Sequence, residues 1–399
     1  MLESIYVGMT GLLGFSRDLR VIANNTANLK TPGFKSSALQ FSDLFYTGGN
    51  LSGGGASHSR AQVGFGLNTT GTTISFKQGE LRQTGNDLDM AVDGQGLFVL
   101  RDANGKLSYT RDGQFQFNAD GVLVSRGTGA KVMGLDGEGH LIELTFAGQK
   151  ANPGKPTSSV KFSGNLLSNL SNGAEQTVGG VKVVDATGGT HTLSLKLTST
   201  SSTLAGSWQV EVMDGTTVVG SGQLVFGSDG KPQPDTAVLS FSYAPEGQRP
   251  TAVSLDFTTD VTSFAAQTST LAMASQDGIG PGSMTGAAFD ASGALTISYS
   301  NGQTQKGAQL AFARFDSPDA VGLAGDNQFE VLDERAWHLG TAGQGAFGNV
   351  HSGMVEISNV DLSQEFSNLV VTQRGYQASS QIISTSNDML QELFSMKSK

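Results

Sequence analysis

Apolar residues along this chain follow two different periods, and the change from one to the other divides it into three stretches. From Ile5 to Leu29 the spacing is helical: Ile5, Leu12 and Leu19 recur at seven, and Phe15, Ile22 and Leu29 form a second set three residues later. Together they make one apolar stripe on a helix. The run stops at Lys30-Thr31-Pro32-Gly33, where Pro32 biases Thr31 away from the helical region and Gly33 permits a turn. The other end repeats the design. Leu362, Leu369, Tyr376, Ile383 and Leu390 are spaced at seven, with Phe366 and Phe394 flanking the seam four residues on. Between those phenylalanines the second set holds Gln373, Ser380 and Asn387, a polar centre that is weak for one isolated pair but can specify register in a larger helical assembly. Asp361 or Ser363 stands where a helix cap is needed.

Between the helices the period is two. Leu107/Tyr109, Phe115/Phe117, Leu193/Leu195/Leu197, Trp208/Val210/Val212, Leu239/Phe241/Tyr243, Val253/Leu255/Phe257 and Leu295/Ile297/Tyr299 alternate with polar or small residues, the pattern of half-buried strands. Asp-Gly and Asn-Gly dipeptides, from Asp93-Gly94 to Asn301-Gly302, punctuate them as hairpin turns. Two Gly-rich stretches read as seams: 47–60, a polar connector, and 148–158, which carries two prolines. A return near 275–286 makes 146–284 an inserted β-domain inside a discontinuous outer one.

Composition sharpens this picture. Glycine, 54 of 399 residues, is nearly twice its usual share, and much of it is turn chemistry. The absence of cysteine excludes disulfides, thiolate nucleophiles and cysteine-ligated metals. A net charge of −10 has the wrong sign for neutralising phosphates, so nucleic acid is not an expected partner. Glu3 near the start, with Arg17 the first basic residue, does not fit a Sec signal. No run of 18 apolar residues occurs, so membrane insertion is not expected either.

Candidate chemistry is thin. Gly343-Gln344-Gly345-Ala346-Phe347-Gly348 has GxGxxG spacing but follows no βα unit and opens no apolar helix, so it reads as a loop. His58, His140, His191, His338 and His351 are scattered, and no Asp/Asn run has calcium-loop spacing. Neither GxSxG nor SxxK presents a nucleophile. The expectation is a chain without catalysis, cofactor or metal. A secreted β-rich hydrolase or carbohydrate-binding module would need converging carboxylates or aromatics, and the two tryptophans, Trp208 and Trp337, lie far apart. The apolar stripes themselves have two readings. They close one domain as an antiparallel pair, or they bind other copies, which their place outside the β-rich body and their polar seam favour.

Several blocks resemble the bacterial flagellar rod and hook proteins. Asn24-Asn25-Thr26-Ala27-Asn28 with Thr31-Pro32-Gly33-Phe34-Lys35 is similar to that family's N-terminal signature, although relatives commonly carry an apolar residue where Thr26 stands. Phe76-Lys77-Gln78-Gly79, the run from Thr84 to Phe98 and Tyr109-Thr110-Arg111-Asp112-Gly113 resemble the next blocks. Ser358-Asn359-Val360-Asp361-Leu362, Glu365-Phe366, Gln373-Arg374-Gly375-Tyr376-Gln377 and the run Asp388–Leu393 resemble its C-terminus. The match covers roughly 1–145 and 285–399. The insertion of about 140 residues ranks the hook branch above the shorter distal rod or another axial protein.

The resemblance implies a fold that is mainly β with α-helical termini: discontinuous β-domains stacked outward from a paired terminal-helix coiled-coil domain. Residues 1–30 and 361–399 would then be the inner-tube domain, 31–70 a connector, 71–145 and 285–360 a discontinuous β-domain, and 146–284 the inserted outer domain. It also implies a self-assembling helical polymer, a curved universal joint between rod and filament that transmits torque. Its implied partners are the distal rod, the hook cap, the hook–filament junction proteins and the flagellar type III export apparatus, and its place is the hook and basal body outside the cell. A cysteine-free chain cannot be trapped by disulfides during unfolded export, nor form the cysteine-dependent lysine crosslinks of some relatives.

Overall fold

Period-two segments become strands, and the two period-seven segments become long helices. The computed structural model describes residues 2–48, 62–200, 206–245 and 247–397, so the glycine-rich connector read at 47–60 lies almost wholly outside the described residues. The chain forms two compact units, one of Met1–Ala147, Ala288–Thr296 and Lys306–Lys399, the other of Gly148–Ala287 and Ile297–Gln305. Ile297–Gln305, which lies in the stretch 285–360 read from sequence as part of the discontinuous β-domain, falls in the second unit. There Tyr299 donates to the Gln149 carbonyl at 2.9 Å and Asn301 to the Gly280 carbonyl at 2.9 Å. The turn-rich stretch near 275–286 looks like an exit from the insertion, but the chain comes back for one more strand end.

The second unit is a sandwich of two four-stranded sheets. Glu175–Val184, Thr190–Ser199, Ser207–Asp214 and Thr217–Val225 form an antiparallel meander. Its last turn is tight, because Asp214 pairs with Thr217 and Gly215 takes φ 59° between them, a left-handed value that glycine adopts without strain. The facing sheet sets Ser159–Leu167 parallel to Thr251–Phe264 and antiparallel to Ala272–Gln276, with Val238–Tyr243 at the other edge. Alternate residues point inward, so Leu193, Leu195, Leu197, Val210, Val212, Val253, Leu255 and Phe257 share one buried core. Phe162 stacks on Phe257 of the neighbouring strand within it, with ring centroids 4.7 Å apart.

The first unit joins a β body to both helices. Strands Leu97–Arg101, Leu107–Thr110, Lys131–Leu135 and Gln328–Val331 surround a core of Leu97, Val99, Tyr109, Met133, Ala311, Ala313 and Phe329. Tyr109 meets Phe315 and Trp337 edge-on, and burial pushes its phenol up to about 12. A hairpin of Ser37–Asp43 with Leu67–Ile74 leads from this body to helix α1, Leu2–Ala27, while Met354–Glu356 pairs with Leu81–Gln83 before helix α2, Leu362–Lys397. Among the described residues no helix is long and apolar enough to cross a membrane.

Candidate assembly surface

The helices lie antiparallel against each other within one chain. Gly8 is beside Ile383, Phe15 beside Gly375, Asp18 accepts a hydrogen bond from Thr372 at 2.6 Å, and Asn25 donates to Glu365 at 3.0 Å. Numbers rise along α1 as they fall along α2. Close approach is possible because α1 turns Gly8 and Gly11 toward α2, while Gly14, also buried, faces Leu67 and Phe41 of the strand pair. A Cβ on Gly11 would sit 2.7 Å from Ser379 Oγ, and one on Gly375 would sit 2.6 Å from the Phe15 ring. Side-chain bulk is thus excluded from both sides of the contact.

On α2 the buried line is Glu365, Thr372, Ser379 and Ser386, spaced at seven, with half-buried Leu369, Tyr376, Ile383 and Leu390 beside it. The second set expected from sequence was Phe366, Gln373, Ser380, Asn387 and Phe394, and all five are exposed. The seam lies one residue earlier than expected. Ser379 fits opposite Gly11 and half-buried Ile383 opposite Gly8, and the small polar members of this line are not marked by an apolar-residue pattern. On α1, Ile5, Leu12, Phe15 and Leu19 are half-buried and Ile22 is buried, so this stripe faces chain-internal neighbours; Leu29, in the turn after the helix, is half-buried, while Leu362 on α2 is exposed.

Below the pair, the signature residues build the joint to the β body. Asn25 closes a ring on Ser37, donating to its carbonyl at 2.8 Å and accepting from its N–H at 3.0 Å. Asn28 donates to the Asn24 carbonyl at 3.0 Å and accepts from the Thr31 hydroxyl at 3.0 Å, which rounds off the end of α1 before Pro32. Thr26 bonds the Ile22 carbonyl at 2.8 Å, which satisfies its hydroxyl inside the helix. Gly33 has φ 69°, and a Cβ there would run into the backbone of Arg111 and Asp112. Half-buried Phe34 follows, its N–H bonded to the Thr31 carbonyl at 3.3 Å.

Lys35 then inserts into the body. Its ammonium, fully buried, contacts Glu356 Oε1 at 2.6 Å and the Lys77 carbonyl at 2.8 Å. Arg111 reaches the other oxygen of Glu356 at 3.1 Å, and the Gly79 N–H donates to Oε1 at 2.7 Å. Burial holds the Lys35 ammonium below its ordinary value, and Glu356 opposes that shift. Asn359 completes the joint, accepting from Ser36 N–H at 2.8 Å and donating to the carbonyls of Ser75 and Lys77 at 2.7 and 2.9 Å. Asp361 caps α2, its Oδ1 accepting from the N–H groups of Ser363 and Gln364 at 2.8 and 3.2 Å. Glu365, one turn in, has its carboxyl pushed up by burial. Gln373 and Arg374 are exposed on α2, where Arg374 donates to Gln377 at 3.3 Å.

Among the residues that the helix pair leaves uncovered are many large apolar ones. Leu2 is 77% exposed, Met9 57%, Val371 and Met396 70%, and Phe394 71%; Tyr6, Leu13, Phe366, Val370 and Leu393 are exposed as well. Apart from Phe366 and Phe394, these residues fall outside the heptad stripes. Their signal in the sequence is the apolar character that α1 and α2 carry on more than one face. Elsewhere, Gly343–Gly348 is a turn between the strands Trp337–Thr341 and Asn349–Ser352, with no helix to receive a phosphate. His140 sits on an exposed turn with its ring 3.4 Å from Asp136 and 3.7 Å from Glu138.

Three family descriptions match the chain in order: "Flagella basal body rod protein" over residues 5–35, "Flagellar hook protein FlgE/F/G D1 domain" over 91–150, and "Flagellar basal body rod FlgEFG protein C-terminal" over 351–396. The flagellar hook protein FlgE of Escherichia coli is 30% identical, with 98% of each chain covered. That of Borreliella burgdorferi is 29% identical across the whole of both chains. The flagellar basal-body rod protein FlgG of Bacillus subtilis is 25% identical, also across the whole of both.

Proposed function

The chain belongs to the family of flagellar hook proteins FlgE and their rod relatives, and on that premise we propose that the apolar faces its helix pair leaves exposed are the contacts by which copies polymerise. It is a structural subunit of the flagellar hook, outside the cell, serving motility without catalysis, and it polymerises with itself. The observation that carries the proposal is that internal packing leaves Met9, Leu13, Phe366, Val370 and Phe394 in water on helices already paired. A soluble helix with two apolar faces buries the second one against something else. A head-to-tail contact that does not close into a ring yields an open helical tube.

In this reading the helices form the inner, channel-lining layer and the β-strand surfaces supply outer contacts. With charged residues only 15% of the chain, those outer contacts need break few desolvated ion pairs as the tube bends. The proposed neighbours are the distal rod at the base, the cap at the growing end, the junction proteins below the filament, and the type III apparatus through which each chain passes unfolded. The resemblance in the terminal blocks supports these partners.

Leu13→Asp and Val370→Asp test the inner contacts, because both sites are exposed in the single chain and tolerate charge there. Each variant is expected to keep its circular dichroism spectrum while losing sedimentable polymer. Polymer at the wild-type critical concentration in both would overturn the assignment.

A further inference from the structure

At the root of the helix pair, where α1 and α2 meet the hairpin strand Ser37–Asp43, a groove of about 410 Å³ opens. Phe15, Val21, Phe41 and Val371 give it apolar walls, and Asp18 and Glu365 supply its charged groups. Among the described residues, no lysine or arginine lines it. Glu365 Oε2 is buried there without a hydrogen-bond partner among the described residues, which adds an uncompensated acceptor to the acidic side of the groove. The opposite end of the same helix pair is its complement. Leu393, Phe394 and Met396 project from α2 at 46, 71 and 70% exposure, and Lys397 and Lys399 follow them in the sequence.

We propose that the root groove receives the α2 tip of a second copy, with Phe394 and Met396 against the apolar walls; the lysines that follow them in the sequence carry the charge opposite to Asp18 and Glu365. This rests on the polymer reading above and names the contact within it. The tip cannot fill its own groove: Val371 and Phe394 are 23 positions apart on one straight helix, about 35 Å at 1.5 Å per residue. Each copy therefore carries one tip and one groove at opposite ends of one rod. Joining them displaces successive copies by about 40 Å along the rod, since Glu365 and Phe394 are separated by 29 positions. Such a contact is heterologous and leaves a free tip and a free groove at the ends of every row, so the row can grow.

The native chain has no cysteine, so introduced pairs report cleanly. Val371→Cys with Phe394→Cys in the full-length chain is expected to give, on mild oxidation of the polymer, a ladder of dimers, trimers and longer species on a non-reducing gel. Disulfide formation needs Cα atoms within about 7 Å, so the two sites cannot join within one copy. Single-cysteine variants are expected to give no ladder. Asn368→Cys with Met396→Cys is a second pair at the same contact, for use if the first blocks assembly. Polymer seen by electron microscopy with no ladder from either pair overturns the proposal while leaving the polymer reading intact. Dimers alone overturn it in favour of a symmetric contact, and crosslinking of Phe394→Cys to a Met9→Cys probe instead would place the tip on another face. A wild-type chain that forms no polymer under any condition would sink the polymer reading itself.

Discussion

Glu356 ties together pieces of chain that are hundreds of residues apart. One carboxylate faces the Lys35 ammonium at 2.6 Å and the Arg111 guanidinium at 3.1 Å, and all three side chains are at most 4% exposed. Replacing both charges of such a pair with apolar groups can be neutral, but removing one partner leaves a buried charge uncompensated and costs about 3–5 kcal/mol. Glu356→Gln removes the anion and keeps the shape. Lys35, whose ammonium burial already disfavours, can shed its proton, whereas Arg111 cannot, so the lower end of that range applies. Amide exchange in peptides covering Gly33 and Gly79, both hydrogen-bonded to Glu356, is therefore expected to speed up roughly a hundredfold, the equivalent of about 3 kcal/mol. Exchange at the wild-type rate would mean that the joint does not depend on this pair. Lys35 was legible in the sequence as part of a family signature, but Glu356 was not. Its pairing spans 321 residues, and a strand-end glutamate two residues before a signature block carries no local mark of its partner.

At the scale of the helix, the sequence pattern located both elements closely: Ile5–Leu29 became Leu2–Ala27, and Leu362–Phe394 became Leu362–Lys397. The face was harder to read. Periodicity finds large apolar residues, whereas the buried line of α2 is Glu365, Thr372, Ser379 and Ser386, and glycines on both helices let them approach, so the eye falls on Phe366 and Phe394 one residue along from that line. Gly375→Ala separates the two descriptions by sign. On a free helix face alanine stabilises by about 1 kcal/mol relative to glycine. Here the new methyl would lie 2.6, 2.8 and 2.9 Å from three atoms of the Phe15 ring, itself braced against Phe41, and overpacking of that kind costs about 1–3 kcal/mol. The expected result is a net loss of up to about 2 kcal/mol in the thermal transition followed at 222 nm. A gain of about 1 kcal/mol would show that the helices do not pack as described.

For the whole molecule, charge sets a condition on assembly that none of the local contacts shows. Every copy carries a formal net charge of −10, so packing copies into a tube concentrates like charge, while the large exposed residues on the proposed faces of the helix pair are mostly apolar. Any attraction between Lys397 or Lys399 and the acidic groove of the proposed contact is a surface effect worth about 0–1 kcal/mol, too little to reverse the sign of the sum. Screening shortens the reach of charge from about 10 Å at 0.1 M salt to about 3 Å at 1 M, and it relieves the repulsion without weakening apolar burial. Added salt is therefore expected to lower the critical concentration for polymerisation, by about tenfold between 0.05 and 0.5 M sodium chloride if the relief amounts to about 1.4 kcal/mol per copy. Sedimentation of polymer across that range measures it directly. A critical concentration that rises with salt would mean that ion pairs between copies, and not the exposed apolar faces of the helix pair, hold the tube together.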